Sequence, residues 1–316
     1  MKATIAICTF NGAARITEVL SALGQQTLNR SEWEILIIDN ASSDGTGEVV
    51  TRFISGESGL NGRVVREERP GLSFARAKAA REAFGEIVCF LDDDNIPAPD
   101  FAECVVRAFA NRPSVGAMGG KVLAVWETPP SPLALAVQNF ALAICDSGEK
   151  PFRYQPEVGP VGAGLCIRSK VLQAIYAHDD AGVLRVGHRG KSVGGGDDLA
   201  IGLLTWRLGY ECWYEPSLVI QHKLPPRRME KEYLLKLYEA IGRGQAEVRK
   251  LYDWKARTPL NFLIGLKDFC RWQLGKWCGP SAQLRRQWPE IAGDLHDLSQ
   301  QLLWGRSLQA LSSLWP

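Results

Sequence analysis

The sequence predicts an α/β fold built on a mostly parallel sheet. Two observations carry that expectation. The apolar runs of the first two thirds are continuous rather than alternating, which marks strands covered on both faces. They also alternate with segments of helical period, as in repeated strand–helix units. A third observation concerns their ends: the first, second and fourth run each stop at polar residues, Thr9 and Asn11, Asp39 and Asn40, and Asp92 to Asp94.

In chain order, "ATIAICTF" reads as a buried strand and "GAARITEVLSALGQQ" as a helix with one apolar face. "WEILIIDN" is a second strand. It ends in the turn "ASSDGTGEVV", where Ser42 and Ser43 are expected to cap a helix beginning near Thr46. "GRVVREE" is a third, short strand, "LSFARAKAAREAF" a helix and "EIVCFLDDD" a fourth strand. From Pro129 the texture changes: Ser131 and Pro132 predict the cap and first residue of an apolar helix. "VGAGLCIRS" (161–169) predicts a strand, "GGGDDLAIGLLTWRLGY" a glycine-rich loop leading into a helix, and "ECWYEPSLVIQH" a returning strand. "KLPPRRMEK" reads as a hinge, and helices are expected beyond it, the most amphipathic being "PLNFLIGLKDFCRWQLGKWC". The expected division is an α/β unit over 1–222, with halves at about 1–120 and 121–222, and a helical C-terminal region over 223–316.

The 316 residues carry a net charge of +2, which hides an asymmetry. From Lys223 onward there are 16 Lys/Arg against 9 Asp/Glu, and before it 21 against 26. An acidic body with a basic tail suggests a metal in the one and an anionic surface near the other, and nothing points to nucleic acid. The eight cysteines include no CxxC pair, and several lie in strand-like runs, so they read as reduced, buried thiols. No secretory signal is evident at the start. The most apolar segment, "LALAVQNFALAI" (133–144), falls short of the ~20 residues a membrane span needs. A cytoplasmic setting is therefore expected.

The stretch "FLDDDNIPAPDF" (90–101) concentrates the chemistry. Three adjacent carboxylates at a strand end repel one another unless a cation answers them. Oxygen donors suit a hard divalent ion, Mg²⁺ or Mn²⁺, commonly shared with substrate phosphates, so a nucleoside diphosphate is the expected partner. In open α/β sheets ligands sit beyond the carboxyl ends of the strands, where Thr9, Asn11, Asp39 and Asp92 to Asp94 would converge. Asp39 taken alone also reads as an ordinary turn residue.

With "CTFN", "IIDNASSDGT", "GLSFARAKA" and "FLDDD" in this order, the chain resembles the family 2 glycosyltransferases of the GT-A fold over roughly residues 1–222. That resemblance implies a Rossmann-like central sheet flanked by helices, and inverting transfer of a sugar from a nucleotide donor. It implies that Thr9, Asn11 and Asp39 hold the nucleoside, Asp39 favouring a uracil-type base. Asp92 would meet the ribose or a metal-bound water, Asp93 would lie on the nucleotide side and Asp94 would bind Mn²⁺ or Mg²⁺. The chain departs from the pattern at Asn40, where a second acid is usual, and in "ARAKA", where Asn is usual. Arg76 or Lys78 would instead face the diphosphate, unless Lys78 merely lies along a helix surface.

Inverting transfer also needs a base for the acceptor hydroxyl. Asp198, 11 residues before Gly209, matches the family's position, with Asp197 as its neighbour and fallback. Both also suit the first turn of a helix for its dipole alone. The resemblance makes His222 an additional metal ligand, with a satisfied strand-end histidine as the alternative. Gly162 and Gly164 would let backbone approach the acceptor, although strand packing explains them too, and Trp213 and Trp126 are candidate sugar platforms or core residues. Six of the ten tryptophans follow residue 250, so the basic tail reads as a lid, a packed appendage or a peripheral contact with the cytoplasmic membrane face. The implied partners are a UDP-sugar and a glycan or lipid-linked acceptor, in polysaccharide biosynthesis. A nucleotidyltransferase would need a phosphate loop after the first strand. A DxDxT phosphatase would need Thr where Ile96 stands, and an inactive binding scaffold would have no use for both acidic clusters.

Overall fold

Continuous apolar runs become central strands here because helices cover both faces of the sheet. A computed structural model describes residues 1–56, 59–155, 158–186, 195–252, 294 and 297–301. The first half runs β1 (Ala3–Thr9), α1 (Ile16–Leu23), β2 (Trp33–Asn40), α2 (Thr46–Ser55), β3 (Gly62–Glu67), α3 (Leu72–Glu82), β4 (Ile87–Leu91), β5 (Asn95–Pro97) and α4 (Phe101–Ala110). Then follow β6 (Val115–Trp126), α5 (Pro132–Ala141), β7 (Phe152–Arg153), β8 (Cys166–Arg168), α6 (Ser169–Val186), α7 (Asp197–Arg207), β9 (Glu211–Leu224) and α8 (Lys231–Tyr252).

The strands form one sheet in the order β3-β2-β1-β4-β8-β6-β9-β5, with β7 added on β9. β3, β2, β1 and β4 are parallel. β8 enters antiparallel to both β4 and β6, while β6 and β9 run parallel to each other. The two-residue period of a strand sends neighbours to opposite cores. Ile5, Ile7, Ile35 and Ile37 pack with α1, α4 and α5 on one face. Ala6, Leu36, Ile38 and Phe90 pack with α3 and α6 on the other. Each fully buried Ile or Leu contributes roughly 1.5–3 kcal/mol of transfer free energy.

Ser131 caps α5 as expected, its hydroxyl accepting the Ala134 N–H at 3.1 Å. The start of α2 differs: Asp44 accepts the Thr46 N–H, because the Ser42 hydroxyl is taken by the Asn11 N–H at 3.0 Å. The segment 161–169 is strand only over Cys166–Arg168, and Gly164 has φ 74. β6 joins the sheet, and α4 packs against β9, without a sequence expectation behind either. Glycines interrupt the β6 signal, and the packing requires one of them: a Cβ on Gly120 would lie 1.9 Å from the Leu218 carbonyl oxygen.

The expected boundary at residue 222 falls inside β9, which continues to Leu224. The expected hinge is a short 3-10 turn over Pro226–Met229. α8 then packs back against α5, α6 and α7. Its Gly244 lies so close to the glycine loop before α7 that a Cβ would meet the Gly195 carbonyl oxygen at 1.7 Å. The amphipathic segment expected over 259–278 and most of the tryptophan-rich tail lie outside the described residues.

Candidate active site

The carboxyl ends of β1, β2 and β4 stand side by side, since Thr9 is the register partner of Asp39 and Ile7 that of Leu91. The loops after β1 and β2 are laced together. Asn11, at φ 51, accepts the Ser43 N–H at 2.9 Å, and the Gly12 N–H reaches the Thr46 hydroxyl at 2.9 Å. Asp39 is buried; its carboxylate accepts the Ser42 N–H at 3.1 Å and pairs with Arg66 at 2.9 Å. Asn40 has a different task from the acid usual in the family. Its amide donates to the Glu67 and Arg69 carbonyls, and its oxygen accepts the Gly71 N–H at 2.7 Å, which holds the loop into α3.

The second and third of the consecutive aspartates separate their charges by pointing to different cations. Asp93 takes a bidentate clamp from Arg15, at 3.0 and 2.8 Å, and the Thr9 hydroxyl at 2.6 Å. Asp94 accepts from Asn95 at 3.1 Å and from Arg228 at 2.9 Å, with His222 Nε2 3.6 Å away. Burial would raise the Asp94 pKa, but the neighbouring His222 ring and the Arg228 charge leave it below the usual carboxylate value. Asp92 retains some accessible surface, yet the protein packed around its carboxyl and the adjacent Asp94 push its pKa up to about 6, against the pull of Arg76. His222 reaches this cluster because β5 pairs antiparallel with β9, placing Asn95 opposite His222.

Arg76 projects from α3 into the protein, buried beside the Phe90 ring. It pairs with Asp197 at 2.5 Å and donates to the Gly162 carbonyl at 3.4 Å. Desolvation lowers its pKa, but Asp197 and Asp92 more than restore it. One guanidinium thus pairs with the aspartates that open α7 while its charge also acts on Asp92 behind β4. Cys8 lies in the same neighbourhood, its thiol pushed up to about 12 by burial.

Among the described residues, no cationic side chain hydrogen-bonds Asp198. It accepts backbone N–H groups from Gly162 at 3.2 Å and Leu199 at 2.8 Å. Burial, then the neighbouring Asp197 charge, raise its pKa above the ordinary carboxylate value, although Arg76 opposes the shift. Gly162 therefore does stand at this carboxylate, and a Cβ there would lie 3.0 Å from the Arg76 guanidinium. Gly164 is a packing position: its N–H meets the Phe90 carbonyl, and a Cβ would press on Ile220.

Two expected residues are not brought to the site. Trp213 pairs with Met118 and His222 with Ala124, six residues apart on β6, which separates them by roughly 20 Å. The indole stands by the Arg112 guanidinium and donates to Glu211 at 2.8 Å. Lys78 pairs with Glu82 one turn along α3, at 3.4 Å. Three arginines at the cluster escaped sequence reading: Arg15, Arg66 and Arg228. Their partners lie 78, 27 and 134 residues away, so no local spacing flags them.

The profile of glycosyl transferase family 2 matches residues 4–175. The chain belongs to glycosyl transferase family 2. Within that family, Glycosyltransferase AglE of Haloferax volcanii is 31 % identical over 119 residues, and the match spans 38 % of each chain. The glucosyl-dolichyl phosphate glucuronosyltransferase of the same organism is 24 % identical over 242 residues, covering 74 % of this chain and 73 % of that protein. Among solved structures, the mannosyltransferase PcManGT of Pyrobaculum calidifontis, in complex with GDP-Man and Mn²⁺, superposes with a TM-score of 0.61 at 19 % identity, over 99 % of this chain and 87 % of that one. Staphylococcus aureus TarS 1–349 in complex with UDP-GlcNAc gives 0.53 at 16 % identity, over 96 % and 82 %. The family 2 chain thus has the expected GT-A fold. No helix among the described residues is long and apolar enough to cross a membrane.

Proposed function

We propose that this family 2 protein is a metal-dependent, inverting glycosyltransferase that moves a sugar from a UDP-sugar to a hydroxyl of a glycan or lipid-linked acceptor. One observation carries the reading. The chain carries two acidic groups that serve different purposes, the aspartates behind β4 and the Asp197–Asp198 pair at the start of α7, with Arg76 paired to Asp197 and its charge felt by Asp92. A nucleotide-binding scaffold needs only the first group; transfer needs both. Relatives and structural neighbours that are named as glycosyltransferases, some solved with nucleotide sugars, support the same reading.

In this mechanism Thr9, Asn11 and Asp39 line the nucleoside end of the cluster and Asp92 the ribose. Asp94 and His222 suit Mn²⁺ or Mg²⁺: a carboxylate oxygen and an imidazole nitrogen lie 3.6 Å apart, and a guanidinium already occupies the cationic position between them. A divalent ion held there would neutralise charge on the leaving diphosphate. Asp198 takes the proton of the acceptor hydroxyl as its oxygen attacks the anomeric carbon. The bond to the diphosphate breaks on the opposite face, so no covalent enzyme intermediate forms. Asp197, engaged by Arg76, positions the start of α7 instead of competing for that proton. The catalytic unit would span 1–222 plus the remainder of β9, at the cytoplasmic membrane face, in polysaccharide assembly.

Isothermal titration with UDP and then GDP, each with and without Mn²⁺, tests the donor assignment on the wild type and on Asp94→Ala. Mn²⁺-dependent UDP binding that disappears in the variant is the expected result. Binding of neither nucleotide would sink the proposal, and a preference for GDP would correct the donor class.

A further inference from the structure

Arg228 belongs to the 3-10 turn Pro226–Met229, which follows β9 and crosses back over the site. Its Nη2 donates to Asp94 Oδ2 at 2.9 Å, and its Nη1 stands 2.9 Å from His222 Nε2. A guanidinium can only donate. Nε2 is therefore the acceptor, and the ring proton resides on Nδ1, which is buried and has no hydrogen-bond partner among the described residues. One cation thus occupies the carboxylate oxygen and the imidazole lone pair that a divalent ion would need. The side chains of Asp94 and His222 keep only 8 % and 3 % of their surface, whereas Arg228 keeps 27 %. Arg228 is the most exposed side chain of the trio and sits on a turn rather than in the sheet.

We propose that Arg228 is a place-holding cation, competing with the divalent metal for Asp94 and His222, so that metal entry requires its side chain to swing out. This rests on the metal assignment of Asp94 and His222 made above. The physical reason is charge balance. A buried carboxylate without a cation is costly, so the metal-free site keeps one of its own. A dication a few ångströms from the guanidinium would be repelled by it, so the two cannot share the ligands. The metal's affinity is then a difference between two cations at one place, and Arg228 sets it.

The test measures Mn²⁺ binding by the loss of its free-ion electron paramagnetic resonance signal, using the full chain. Arg228→Gln is expected to bind Mn²⁺ about tenfold more tightly than the wild type, or better. Arg228→Lys, whose single ammonium can face only one of the two ligands, should fall between them. Adding Asp94→Asn to Arg228→Gln should erase the gain. Unchanged or weaker Mn²⁺ binding in Arg228→Gln overturns the inference, because a merely structural arginine would not hold the metal back. If Arg228→Gln does not fold by circular dichroism, Arg228→Lys decides on the same criterion. UDP titrations on the same samples keep the two levels apart. UDP binding without any Mn²⁺ uptake in either protein overturns the place-holder alone; no UDP binding under any condition sinks the proposed function with it.

Discussion

The aspartates behind β4 and the aspartates opening α7 are chemically alike and treated in opposite ways. Behind β4, Asp93 has Arg15, Asp94 has Arg228, and Asp39 on the neighbouring strand has Arg66; Asp92, raised to about 6 by burial and by Asp94, is the exception there. At α7, Arg76 serves Asp197, and among the described residues Asp198 has backbone N–H partners and a raised pKa. The contrast teaches what each carboxylate can do. A residue that binds a cation or a nucleoside works best ionised at all relevant pH, and an arginine beside it secures that. A general base must release its proton within reach of neutral pH, and burial without a direct cation raises its pKa toward that range.

The largest effect should come from the member without its own cation. Asp198→Asn is expected to lower kcat by about 10²- to 10⁴-fold while leaving UDP affinity within a few-fold of wild type, as steady-state kinetics and titration would show. The sign of its pH dependence follows from the raised pKa. The base is active when deprotonated, so the rate should fall as pH drops through a value above the ordinary aspartate range. That limb should vanish in the residual activity of the variant. Equal losses of kcat and donor affinity would dissolve the contrast by placing Asp198 on the donor side.

Removing the Arg76 guanidinium should act next most strongly, and on the fold. Arg76 and Asp197 keep 3 % and 8 % of their side-chain surface. Arg76→Met therefore leaves a buried carboxylate uncompensated, and urea denaturation should show a loss of about 3–5 kcal/mol. The double variant Arg76→Met/Asp197→Leu should recover part of it, since replacing both ions spares the desolvation. No recovery would mean that Arg76 is held mainly by Asp92.

The smallest effect is expected at the clamp on Asp93. Arg15 keeps 39 % of its side chain exposed, so solvent screens the pair, and Arg15→Ala should destabilise by about 1 kcal/mol or less. The clamp orients the turn that also carries Asp92 and Asp94, so UDP binding should weaken a few-fold with kcat nearly unchanged. A large kcat loss would bring Arg15 into the chemistry and blur the line between the two regions.

Much of the site could be read from residue order because a parallel sheet brings its strand ends together whatever the side chains do. Thr9, Asp39 and the Asp92 to Asp94 run sit at such ends, and Asp198 follows a glycine loop into a helix. Elements with weak local signals were harder: β6 carries glycines demanded by contacts with β9, and the returning helix α8 is needed to cover the loop before α7. Asn40 shows the limit at a single residue. Its type is plain in the sequence, but that its amide fastens the loop into α3 depends on carbonyls about thirty residues on.

By itself the sequence determined the α/β class, the covered strands, the acidic strand ends and the family, because these depend on local periodicity and on side chains near each other in the chain. Tertiary structure alone decided which cation answers which carboxylate. Arg76 meets Asp197 across 121 residues and Arg228 meets Asp94 across 134. It also kept Trp213 away from His222 and brought the turn after β9 onto Asp94 and His222. Pairing between charges so far apart in sequence follows from how the sheet orders its strands, and a linear pattern carries no trace of that order.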